Sequence, residues 1–204
     1  PEVEEILDIY LAAGASTIIY AALSGGQGYN DRPTLDSHEW EAFFANLDRL
    51  VEAARARGIN PTLHHHMGMI VQTAEEIDLL LRRSSIGLCL DTGHATIAGI
   101  RPLDLARQYA DRINFVHLKD VNNAVASKVQ SGELLYMDAL NKDIFRPLGQ
   151  GDAGIAELVT TLERAGYDGW YVMEQDAVLG SAVDLPAALA DVRASLEFLR
   201  GIAG

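Results

Sequence analysis

The sequence predicts an α/β fold of the TIM-type (β/α) barrel class, and three observations carry that prediction. Apolar runs of strand length alternate with helical patterns, which implies a parallel sheet covered by helices. Four successive runs end in potential metal ligands: PTLHHHMG in His64, His65 and His66, IGLCLD in Asp91, INFVHLKD in His117, and WYVMEQD in Glu174. Side chains at the C-terminal ends of barrel strands converge on one spot, whereas an open doubly wound sheet binds its ligand at a glycine-rich first turn. The glycine-rich stretch SGGQGYNDRP lacks the Gly-Lys-Ser/Thr ending of a phosphate-binding loop and reads as a flexible βα connection.

The elements follow in order. Residues 2–13 place Val3, Ile6, Leu7, Ile9, Tyr10 and Leu11 at roughly helical spacing before Gly14. Ser16 to Leu23 is rich in β-branched residues and breaks at Ser24-Gly25-Gly26, so it reads as a buried strand. From Asp36 to Gly58, Trp40, Phe43, Phe44, Leu47, Leu50, Val51 and Ala54 keep the 3.6 period, with Asp36 and Glu39 spaced as a capping box and Gly58 as terminator. Ile59 to His66 is the second strand. Thr73 and Glu76 form a second capping box opening a helix to about Arg82. Ile86 to Asp91 is the third strand, Pro102 opens a helix to about Arg112, and Ile113 to Lys119 is the fourth strand.

After Asp120 the pattern loosens for about thirty residues. A connection this long is expected to contain short helices and to act as a lid or binding loop. Ile155, Leu158, Val159 and Leu162 mark the next helix, Trp170 to Asp176 the fifth strand, and residues 186–200 a closing helix with Leu189, Val192, Leu196 and Leu199 inward. A complete barrel needs about 250 residues and eight strands. The 204 residues are therefore expected to form one domain holding roughly the last five βα units, with the first three missing. The opening at Pro1, directly into a helical pattern, fits a truncated chain.

Composition narrows the function. A net charge of −13 repels phosphate backbones and disfavours a nucleic-acid partner; small neutral substrates fit better. The apolar stretches are far short of a membrane span and no signal sequence opens the chain, so a cytoplasmic protein is expected. The single cysteine, Cys89, excludes an internal disulfide and reads as a small buried hydrophobe. The first and last strands would be open edges, a route to homo-oligomers.

Period-two alternation places Asp91 with Gly87 and Cys89, His117 with Phe115 and Lys119, and Glu174 with Trp170, Val172 and Asp176, each polar group above apolar fillers of the barrel interior. Asp91 alone could be a helix or turn cap, and His117 alone a satisfied core histidine. Glu174, at the end of WYVM, is an expensive placement unless paired or metal-bound. His64 and His66 share one face and His65 takes the other. A set of carboxylates and imidazoles suits Mn, Co, Fe or Zn better than Ca. His94 and Lys119, close behind ligands, are candidates for substrate contact or proton transfer.

HHHMG, GLCLDTGH, FVHLKDV, PLGQGD and AGYDGWYVMEQD together resemble the xylose isomerase-like barrel superfamily, and within it the inosose dehydratase family of inositol catabolism. The resemblance covers about residues 15 to 180. It implies a divalent metal, Mn or Co with Zn or Fe as alternatives, held by Asp91, His117, Glu174 and His64, with His66 sharing the face of His64. It also implies a lyase that eliminates water from 2-keto-myo-inositol, for which His66, His94 and Lys119 are the candidate acids and bases. The stretch Met67 to Gln72 contains no acid, which argues against the two-glutamate proton exchange of epimerases. A sugar isomerase or epimerase, or a truncated metal-binding barrel without turnover, are the alternatives.

Overall fold

Alternating apolar residues dictate a sheet with two distinct faces, and the computed structural model of the chain, which describes residues 2–23, 29–181 and 184–202, has that sheet. Strands β1 (Thr17–Ala21), β2 (Asn60–His64), β3 (Gly87–Asp91), β4 (Ile113–Leu118) and β7 (Trp170–Met173) lie parallel in that order, curled into a half-barrel. The helices are α1 (Glu2–Ala12), α2 (Ser37–Arg55), α3 (Ala74–Arg83), α4 (Thr92–Ile97), α5 (Pro102–Tyr109), α6 (Asn123–Gln130), α7 (Tyr136–Ala139), α8 (Ile155–Arg164) and α9 (Leu185–Ile202). Among the described residues no helix is long and apolar enough to cross a membrane.

The outer face of the sheet carries the main core. Leu63, Leu88, Leu90, Val116 and Leu118 pack against Leu47 and Val51 of α2, Ile77, Leu80 and Leu81 of α3, Leu105 of α5, and Leu158 and Leu162 of α8. Each such leucine contributes about 1.5–3 kcal/mol on burial. Both predicted capping boxes are present, Asp36 with Glu39 and Thr73 with Glu76. The inner face carries Cys89, Phe115 and Val172 below the ligand residues.

Several elements differ from expectation. β2 stops at His64 because the Met67 to Gln72 segment folds back, with His66 N donating to Val71 O. β7 stops at Met173, although Glu174 N still donates to Leu118 O at 3.0 Å and holds the next residue in line. The helix from Pro102 ends at Tyr109 and tightens into a 3-10 turn, Ala110–Arg112. Trp170 is no interior filler: it is 68% exposed at the sheet edge. α9 docks through Ser195, Phe198, Leu199 and Ile202, while Leu189 and Leu196 remain 44% and 39% exposed. Its orientation is set by Phe198 packing on Gly149, too closely for any Cβ there, and by Ser195 Oγ, which accepts from Leu148 N. The start of the glycine-rich connection, Ser24 to Gly28, lies outside the described residues.

The long connection contains the expected short helices, α6 and α7, and a two-stranded antiparallel ribbon of β5 (Asp120–Val121) and β6 (Phe145–Arg146). Asp120 organises its return. Its Oδ1 accepts from Val121 N and Ala153 N, its Oδ2 from Gly149 N and Gly151 N, all at 2.8–3.0 Å.

Candidate metal centre

Parallel register brings the strand ends together: Asp91 of β3 lies opposite His117 of β4, and His64 of β2 opposite Cys89 one pleat below Asp91. Asp91 is fully buried and its two oxygens have different partners. Oδ1 accepts from His94 N at 2.8 Å and caps α4. Oδ2 faces His64 Nε2 at 3.2 Å, Lys119 Nζ at 3.6 Å, His117 Nδ1 at 3.7 Å and His94 Nε2 at 3.8 Å. The cap and the candidate ligand are thus the same carboxylate, one oxygen for each.

Glu174 completes the arrangement from beyond β7, its Oε1 3.1 Å from His117 Nδ1 and its Oε2 2.7 Å from Lys119 Nζ. Lys119 Nζ also meets Asp176 Oδ2 at 2.9 Å. Ligand atoms of Asp91, His117 and Glu174 fall within 4.8 Å of one another, as do those of His64, Asp91 and His94, and of His64, Cys89 and His117. The four predicted ligands therefore meet around Asp91. His64 enters two of these groups, whereas His66 enters none and turns toward His94, ring centroids 3.5 Å apart.

Two observations fit this cluster to a divalent cation. His117 Nδ1 is buried and makes no hydrogen bond although Glu174 Oε1 is 3.1 Å away. Lone pairs that approach without a shared proton suit a common electrophile: two ligand atoms about 2.1 Å from one ion lie roughly 3 to 3.5 Å apart. The carboxylates Asp91, Glu174 and Asp176 surround one ammonium, Lys119, leaving negative charge that a dication would cancel.

Electrostatics separate the proton-transfer candidates. Burial alone would lower the Lys119 ammonium, but Asp91, Glu174 and Asp176 outweigh it and raise its pKa above the usual lysine range, so it holds its proton. Burial would raise the Asp91 carboxyl, yet His94 and Lys119 hold it well below the usual carboxylate value. Burial lowers His94 well below the usual imidazole value and His66 to about 4. His66 Nδ1 donates to Met67 O at 2.6 Å, so the neutral ring keeps its lone pair on Nε2.

Other residues, given no role by the sequence patterns, support the centre. His65 points to the outer face, where Nε2 accepts from Asp91 N at 3.2 Å and fixes the backbone of the central carboxylate. Thr92 Oγ1 donates to Lys119 O at 2.7 Å and accepts from Lys119 N at 2.8 Å, clamping β3 to β4. The Lys119 stem lies across Gly93, where a Cβ would meet its Cδ at 2.7 Å; this is why glycine stands in the DTGH run. Register could have suggested His65; nothing in the local pattern marks Thr92.

The chain matches the xylose isomerase-like TIM barrel family over residues 2–202. It belongs to that family. This xylose isomerase-like chain is 37% identical over 171 residues to the rhizopine catabolism protein MocC of Rhizobium meliloti, covering 80% of the chain and 53% of that protein. It is 34% identical over 151 residues to an inosose dehydratase of Geobacillus thermodenitrificans strain NG80-2, covering 72% and 51% respectively. The chain spans about half the length of these curated relatives. Among solved structures, a xylose isomerase domain protein from Planctomyces limnophilus superimposes with a TM-score of 0.70 at 20% identity, over 98% of this chain and 64% of that one. The IOLI protein with a bound zinc atom gives 0.68 at 17% identity, over 98% and 67%. At these identities the likeness is one of fold.

Proposed function

We propose that this chain is the metal-holding half of a hydro-lyase that removes water from a cyclic keto-polyol of the inosose type. The observation that carries the reading is the Asp91, His117 and Glu174 triad with an ammonium on one side and an uncharged imidazole on the other. Similarity to inosose dehydratases names the substrate class. The donor set of two carboxylates and imidazoles favours Mn or Co, with Zn or Fe as the alternatives.

Asp91, His117, Glu174 and His64 would hold a divalent ion, which would supply Lewis-acid polarisation of the ketone oxygen. The chain's own residues then move the protons. His66 Nε2, uncharged at neutral pH, accepts the proton from the carbon beside the ketone. Lys119, held protonated, donates to the departing hydroxyl, which leaves as water as the carbon–carbon double bond forms. Solvent returns a proton to Lys119 and takes one from His66. His94, its ring tilted 42° against that of His66 and its Nε2 3.4 Å from Lys119 Nζ, keeps both groups at the reacting face.

Incubation of the Mn-loaded chain with 2-keto-myo-inositol tests the reading by mass spectrometry. A product lighter by one water is the expected result, lost in Lys119→Met with bound metal retained. A product of unchanged mass points to an isomerase, and no product from metal-loaded protein overturns the reaction. Metal content that is the same in Asp91→Ala and His117→Ala as in the parent chain overturns the site.

A further inference from the structure

Cys89 stands on the inner face of β3, one pleat below Asp91, and is fully buried. Its type and its place in an apolar run make it a small buried hydrophobe, but its surroundings are not those of one. Leu88 and Leu90 on either side belong to the main apolar cluster, whereas Cys89 belongs to none of the apolar clusters among the described residues. It lies opposite His64 of β2, and opposite Phe115 of β4, two residues before His117.

Sulfur meets imidazole at this level of the sheet. One ligand atom each from His64, Cys89 and His117 falls within 4.8 Å of the others. The His64 and His117 rings are 4.6 Å apart between centroids, and the buried His117 Nδ1 has no hydrogen-bond partner. The same two imidazoles also belong to the sets that contain Asp91, His64 with His94 and His117 with Glu174. Two kinds of donor therefore compete for one pair of rings, carboxylate oxygens at the strand ends and a thiol one pleat below.

Such donors sort cations by softness. Carboxylate oxygens suit Mn, whereas thiolate with imidazole selects thiophilic ions such as Cd or Zn. We infer that His64, Cys89 and His117 form a second coordination set, for a thiophilic dication, and that an ion held there draws both imidazoles away from the carboxylates and blocks the centre. Cys89 gives its proton to solvent as the sulfur–metal bond forms. The inference shares its imidazoles with the candidate metal centre and so rests on that reading, but not on the dehydration reaction.

The test titrates the full metal-free chain with cadmium chloride and, separately, with manganese chloride, and records ultraviolet difference spectra. Cys89 is the single cysteine of the chain, so a thiolate-to-metal charge-transfer band reports on it alone. The expected result is a band that saturates at equimolar Cd, with none from Mn and none in Cys89→Ser. Cd is then added to the Mn-loaded chain, and released Mn is followed by electron paramagnetic resonance. Cys89→Ser should need Cd more concentrated by at least about tenfold for the same release, the loss that follows removal of even an outer partner of a metal ligand. Cd bound to wild type without a charge-transfer band overturns the inference and leaves the carboxylate centre standing. A band with no release of Mn overturns the blocking. Failure to bind either ion removes the metal centre together with the inference. A band in a chain that forms no dehydrated product removes only the reaction. The wild-type spectrum decides by itself, so misfolding of Cys89→Ser would not protect the inference.

Discussion

Asp91→Asn separates the two tasks of one side chain. An asparagine Oδ1 can still accept from His94 N and cap α4, but it lacks the charge at the centre, so the melting temperature should change little while bound metal is lost. Asp91→Ala removes the cap as well and should cost about 1 kcal/mol more in urea unfolding. His65 supplies a pH dependence. Burial lowers it from 6.5 to about 3, and its Nε2 must remain an acceptor for Asp91 N. The unfolded chain takes up a proton there below about 6.5 and the folded chain only below about 3, so this contribution is complete above 6.5 and is lost as pH falls through that window. Urea midpoints at pH 7 and pH 4.5 should show the loss, and His65→Gln should reduce it. Gly93→Ala should displace Lys119, lowering kcat much more than metal content. These residues differ in legibility. His64, Asp91, His117 and Glu174 stood out because polar groups end apolar runs, whereas Thr92 clamps Lys119 from a position that no local pattern marks.

At the level of elements, Asp120 ties the long connection to the barrel. Asp120→Ala leaves the amides of Val121, Gly149, Gly151 and Ala153 without their acceptor and should destabilise the chain by about 3 kcal/mol or more. Hydrogen exchange should localise the opening to residues 145–153 before the sheet yields. Capped and strongly periodic elements such as α2 and α3 were readable to within a residue or two. α4 was not, because its six residues, Thr92–Ile97, are buried on every side and carry no amphipathic signal. The β5–β6 ribbon was equally hidden: two-residue strands are too short to show alternation. The inward face of α9 was misread since Leu189 and Leu196 fit the helical period, yet Phe198 packing on Gly149 sets the orientation.

For the whole molecule, the strand order leaves β1 and β7 as edges, with Trp170 exposed on one and Ile6 and Ile9 exposed on α1 near the other. Sedimentation at increasing concentration is expected to show self-association accompanied by a blue shift of tryptophan emission. A monodisperse monomer throughout the range would count against edge pairing. The parallel half-barrel itself was foreseeable from the alternation of elements, since their order leaves few arrangements. The two faces of its sheet have a further consequence. Leu88 and Leu90 hold the helices while Cys89 and Asp91, the residues between and after them, face the candidate metal centre. Core packing and the candidate site therefore occupy interleaved positions of the same strands, so an inner-face residue that caps no helix, such as Cys89, can be exchanged with little disturbance to the outer core. A chain built this way can change what its inner face holds by drift at a few alternate sites while its architecture stays under separate selection.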